Sequence, residues 1–169
     1  MQETKTPIDY QVEANRDVAG RIGRAWREIC RGFANNALRE LIFEDEEHSI
    51  EAGQFDTLEQ LVLHESIRMG DLADVLRIDP STATRAVARL IKDGLAEKVS
   101  HSGDGRVVYV APTGKGHDLY QWVVKRRRDV IANVVGELSE DRRQEIAVAL
   151  EEFAGALQNA VSRLLASKK

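Results

Sequence analysis

The stretch "RMGDLADVLRIDPSTATRAVARLIKDGLAEKV", residues 68–99, decides how this chain is read. It divides into two short helical segments parted by a few residues around Ile78 and Asp79. The second segment has both ends marked. Asp79 stands at the N-cap, and Pro80 takes the first helical position, where its missing N–H is no loss. Gly94 marks the stop. Between them Ala83, Val87, Leu90 and Ile91 recur at helical spacing and form one apolar stripe. Ser81, Thr82, Thr84, Arg85, Arg89 and Lys92 fall on the other faces.

The segment runs directly into "VSHSGDGRVVYV", residues 99–110. This reads as a β-hairpin: a strand, a Gly/Asp/Ser turn, then an alternating strand. Arg106 stands at its tip beside Asp104. A helix, a tight turn, a second helix with a polar outer face and a hairpin together make a winged helix-turn-helix. An α-helix fits the major groove of DNA. The Asp-Pro start leaves the N–H groups of the second helix uncovered, which favours a phosphate. Ser81, Thr82 and Thr84 are short enough to approach base edges or phosphates closely. Arg85 and Arg89 can pair bidentately with guanine or grip phosphate. At the wing, Arg106 is placed to enter a narrow A·T minor groove, with Asp104 holding it extended. Taken singly, the helix is a solvated face and Arg106 a surface charge. The ordered series of all these features favours DNA binding.

Working outward, residues 1–8 read as a disordered tail. From Asp9 to about Leu41 the pattern is one helix of over thirty residues, with Val18, Ile22, Trp26, Ile29, Phe33, Ala37 and Leu41 on one face. A helix that long in a small domain expects a partner along its length, often another subunit. Residues 43–56 form a charged loop, and 57–65 a short buried helix carrying Leu58, Leu61 and Val62. Thr113 caps a helix over 113–136. Ser139 caps a final one, in which Ile146, Leu150, Phe153, Leu157, Val161 and Leu164 approach heptad spacing. The fold class is mainly α with a small β-hairpin wing.

Composition bounds the function. The 169 residues are 43% hydrophobic and 31% charged, enough for a core and leaning helical. No run of eighteen apolar residues marks a membrane span, and the first residues lack a signal-peptide pattern. A single Cys makes no internal disulfide and fits a reducing cytoplasm. The net charge is −4, unevenly spread: residues 1–67 hold 14 acidic and 7 basic side chains, residues 68–112 hold 6 and 7. Any DNA surface is therefore local. No nucleophile–base motif, phosphate loop or paired catalytic carboxylates occur, so no enzyme is expected, and no cofactor.

Other residues leave alternatives open. Cys30 is either a structural thiol or a redox sensor, the latter needing a neighbour that lowers its thiolate pKa. His48, His64, His101 and His117 lack metal-ligand spacing, so no metal site is expected. Trp26 and Trp122 either pack in the core or line a cleft for an aromatic ligand. The "KRRR" run at 125–128 is a solvated face, a set of ion pairs or a DNA-backbone contact. A winged helix can also serve as a protein-interaction module.

Residues 72–116, "LADVLRIDPSTATRAVARLIKDGLAEKVSHSGDGRVVYVAPTGKG", resemble the MarR family of bacterial transcriptional regulators. The resemblance implies a homodimeric repressor reading a near-palindromic duplex operator and released by a small, often phenolic, ligand in a cleft between lobes. It implies dimerisation segments at 9–50 and 113–169 around a DNA-binding domain at 54–112. Ser81, Thr82, Thr84 and Arg85 fall at the family's major-groove positions, and Asp104 and Arg106 match its wing motif. The tip here reads "GDGR", with Gly105 in place of one of the usual paired basic residues.

Overall fold

The computed structural model describes residues 7–99 and 108–167. Helix α1 runs Glu13–Arg31 and α2 runs Phe33–Phe43. The single helix expected from Asp9 to Leu41 is therefore two, broken at Gly32, whose backbone is extended at φ −68°, ψ 167°. Glycine is the poorest helix former after proline. The apolar periodicity runs on past the break and hides it.

Helix α3, Ala52–His64, begins five residues before the start expected at Thr57. Gly53 and Phe55 therefore belong to the helix and not to the loop, and Phe55 is completely buried. After it come β1 (Ile67–Arg68), α4 (Met69–Leu76), α5 (Pro80–Lys92), β2 (Ala96–Val99) and β3 (Tyr109–Pro112). The sheet is three-stranded and antiparallel in the order β1-β3-β2, with Val110 of β3 opposite both Ile67 and Lys98. The sequence shows two of these strands. At two residues, β1 is too short to display alternation.

The helix-turn-helix pair is α4 and α5. Arg77 ends α4 in the left-handed region, φ 54°, and the Ile78 N–H reaches back to the Ala73 carbonyl at 3.1 Å. That makes the turn tight enough for α5 to start at Pro80. Gly94, at φ 72°, lets the chain leave α5 and enter β2. Thr113 then ties the next helix, α6 (Gly114–Gly136), to this corner. Its hydroxyl donates to the Gly94 carbonyl at 2.6 Å and accepts the Gly116 N–H at 3.1 Å.

The chain divides into two compact units, Met1–Arg126 and Arg127–Lys169. The first holds the core: Phe55, Leu58 and Leu61 from α3, Leu72 from α4, Leu90 from α5, Val110 from β3 and Val123 from α6. Each such side chain contributes roughly 1.5–3 kcal/mol on burial. This core fixes α5 against α3 and the sheet. In the second unit, α7 (Glu140–Ala166) carries no buried residue, and Arg143 Nε donates to the carbonyls of Val135 and Leu138 at 3.2 Å. Among the described residues no helix is long and apolar enough to cross a membrane.

Candidate nucleic-acid interface

Helix α5 presents its outer face because its inner face is locked. Ala83, Val87 and Leu90 are buried, and Ile91 packs beside them. Ser81, Thr84, Arg85, Ala88, Arg89 and Lys92 are exposed, and Thr82 is half-buried. Ala88 was not singled out in the sequence, since alanine on a helix carries no polar signal. It places a methyl group in the middle of the polar face.

The start of α5 differs from expectation. Its N-terminus is not left open for a phosphate, because Asp79 covers it. Asp79 Oδ1 accepts the Thr82 N–H at 2.9 Å. The Ser81 and Thr82 hydroxyls donate to the same carboxylate, each at 2.5 Å. These hydroxyls, Ser81 foremost, hold the Asp79 carboxyl far below the ordinary carboxylate range. A charged cap on the helix dipole now occupies the position where a bound anion would sit.

The capping also sets the polarity of the hydroxyls. Thr84 Oγ1 donates to the Pro80 carbonyl at 2.8 Å. A hydroxyl has one proton and two lone pairs. Ser81, Thr82 and Thr84 have each committed the proton inward, so what they turn outward is acceptor capacity. Arg85 Nη2 lies 3.3 Å from Thr82 Oγ1, and Arg89 Nη1 lies 3.7 Å from Glu51 Oε2 at the N-cap of α3. Lys115 Nζ donates to the Asp93 carbonyl at 2.9 Å. Asp104 and Arg106, the wing-tip candidates, lie outside the described residues.

The remaining candidates are placed as follows. Cys30 is exposed on α1, and its carbonyl accepts from Asn35 Nδ2. Trp26 is an exposed α1 residue. Trp122, on α6, donates its indole N–H to Asp45 Oδ2 at 3.1 Å and stacks on the His48 ring at 4.9 Å. Within "KRRR", Arg126 is inward-turned and bonded to the Leu41 and Glu44 carbonyls. Among the described residues no group of three His, Cys, Asp or Glu side chains is placed to hold a metal.

A buried core shared by α3, α4, α5 and α6, a tightly turned α4–α5 pair and a three-stranded wing define a winged helix-turn-helix protein. The chain matches the model of the MarR family over residues 50–108. It is 23% identical over 119 residues to the HTH-type transcriptional repressor MdtR of Bacillus subtilis, covering 70% of this chain and 77% of that protein. Among solved structures it is similar to RV1404 from Mycobacterium tuberculosis, with 27% identity, a TM-score of 0.64, and 86% and 95% of the two chains covered. It is also similar to FabT of Streptococcus pneumoniae, solved in complex with DNA, with a TM-score of 0.71 and 84% and 99% covered. The FabT identity is 18%, so that likeness is one of fold.

Proposed function

We propose that the chain is a homodimeric, sequence-specific repressor, acting in the cytoplasm on a near-palindromic duplex operator and released by a small ligand. One observation carries the reading. Helix α5 is fixed by Ala83, Val87 and Leu90 beneath and by Asp79 at its start, so that a continuous outer face of Ser81, Thr84, Arg85, Ala88 and Arg89 is held rigid.

On this reading α5 lies in the major groove. Arg85 pairs with a guanine edge or a phosphate, and Arg89 and Lys92 neutralise phosphate. The inward-bonded hydroxyls of Ser81 and Thr84 accept from adenine N6 or cytosine N4 amino groups, and Ala88 meets a thymine methyl. Arg106 and Asp104 serve the wing, on the strength of the sequence alone. That MdtR is named a repressor and that FabT was solved on DNA support this direction.

The dimer reading is supported by apolar surface. Val18, Ile22 and Ile29 on α1 are exposed, and so are Leu150, Leu157, Val161 and Leu164 on α7. Such rows favour burial against another chain. The ligand reading is supported by a cavity of about 440 Å³ beside α5, lined by Leu76, Ile78, Thr82, Arg85 and Arg89 among others. A small aromatic molecule seated there touches the arginines of the DNA face and alters their reach. Trp26 and Trp122, the sequence's candidates for the ligand cleft, do not line this cavity.

A photo-crosslinking residue in place of Ala88 tests the DNA face. Capture of duplex DNA by the folded protein is expected. Capture of proteins from extract without any duplex, at every salt concentration tried, refutes the regulator reading in favour of a protein-interaction module.

A further inference from the structure

Glu51 sits at the N-cap of α3, yet its side chain makes no capping hydrogen bond. Its carboxylate turns to α5 instead, with Oε2 3.7 Å from Arg89 Nη1. A second link joins the same two helices: Gln54 Nε2 donates to Asp93 Oδ2 at 3.2 Å. Glu51 and Asp56 line the same cavity as Arg85 and Arg89. The inner flank of α5 is thus bordered by acids, although its outer face faces the proposed groove.

We propose that Glu51 is an electrostatic competitor for DNA, holding Arg89 back from phosphate. The inference rests on the DNA-binding reading and adds a regulator of its strength. To neutralise a phosphate, the Arg89 guanidinium has to leave the Glu51 carboxylate, and that carboxylate then repels the phosphate. The pair is well exposed, 63% at Arg89 and 78% at Glu51. An exposed pair is weak, so it restrains Arg89 without locking it. A chain with net charge −4 that grips DNA through a local basic face gains from such a restraint. Arg89 contributes only when the rest of α5 has found its register, and casual contact with any duplex stays weak.

The substitution Glu51→Gln tests this, since no capping bond is lost with the charge. Affinity is measured by anisotropy with a duplex of random sequence and by the salt needed to elute the protein from immobilised heparin. Glu51→Gln is expected to tighten duplex binding roughly two- to fivefold per bound subunit, the range an exposed pair allows. The slope of log affinity against log salt steepens by about one per bound subunit, for one more phosphate neutralised by each. Elution from heparin moves to higher salt. In an Arg89→Ala background, Glu51→Gln changes neither. Unchanged or weaker binding by Glu51→Gln overturns the proposal, because it makes the carboxylate neutral or a helpful positioner of Arg89. An equal gain in the Arg89→Ala background also overturns it, leaving only a general charge effect. If no variant binds duplex but the heparin shift appears and requires Arg89, the regulator reading falls and the restraint on Arg89 stands.

Discussion

Asp45 accepts a hydrogen bond from the indole N–H of Trp122 at 3.1 Å, joining residues 77 positions apart in the chain. The same carboxylate oxygen lies 3.3 Å from Arg126 Nη1, and the guanidinium sits 4.8 Å over the Trp122 ring. Arg126 also bonds the carbonyls of Leu41 and Glu44, at 2.7 and 3.0 Å. The end of α2 and its following loop are thereby pinned to α6.

Removing the pin has a measurable cost. Arg126→Ala leaves two carbonyls and a carboxylate without their charged donor, and is expected to lower stability by about 2 kcal/mol. Lysine cannot reproduce a three-way fork, so Arg126→Lys falls between. Denaturant unfolding followed by tryptophan emission reads both. An Arg126→Ala protein as stable as the parent contradicts the role assigned to the pin.

Two aspartates, Asp45 in the loop after α2 and Asp79 at the N-cap of α5, give a pH signature. Burial pushes the Asp45 carboxyl up, but hydrogen bonds from the Glu47 and His48 backbone and from the His48 ring outweigh it, and its pKa lies below the ordinary 3.8. Asp79 lies lower still, held there by the Ser81 and Thr82 hydroxyls and the Thr82 N–H. Both values are depressed on folding. Their stabilisation is therefore present above pH 3.8 and is lost as pH falls through the folded values. Carbon NMR of the carboxyl groups is expected to show both titrating below 3.8, Asp79 last. Titration of Asp79 at or above that value removes the covered N-terminus.

Gly116 marks where α6 meets the core. A Cβ there collides with the Leu95 carbonyl and comes within 3.3 Å of Leu58 Cδ1. Because the nearest obstacle is backbone, it yields poorly. Gly116→Ala is expected to cost about 1–3 kcal/mol in denaturant unfolding. Gly136→Ala, which meets nothing within 4 Å, is the control and is expected to be neutral or stabilising. Equal behaviour of the two variants contradicts the close approach.

The α7 row is the simplest place to break the proposed dimer. Leu157→Glu puts a charge in the middle of the row formed with Leu150, Val161 and Leu164. Light scattering is expected to fall from twice the 18.9 kDa chain mass to that mass, with duplex binding lost along with it. A parent protein that is already monomeric and still binds DNA tightly removes the dimer from the account.

Much of this is legible in the sequence. Asp79, Pro80 and Gly94 bracket α5 because each residue has a steric or hydrogen-bonding preference for one position. The break at Gly32 was not legible, because the apolar spacing of α1 continues across it. Strand β1 has two residues and borrows its strand character from β3. At the candidate site, residue types exposed Ser81, Thr84, Arg85 and Arg89, but not where their hydrogens point. That polarity depends on the rotamers of Asp79 and on the Pro80 carbonyl. Glu51 is 38 residues from Arg89 in the chain, and only the packing of α3 on α5 reveals the pair.

Sequence reading by α5 is tested by selection from a randomised duplex library at two salt concentrations. The parent protein and Arg85→Ala are selected side by side and sequenced. Enrichment of a near-palindrome with half-sites about one helical turn apart is expected. Arg85→Ala is expected to relax one or two base pairs per half-site, a loss of roughly 1–3 kcal/mol against the preferred base. Enrichment of no sequence, with binding that vanishes at the higher salt, contradicts sequence reading by α5, since contact would then be electrostatic alone.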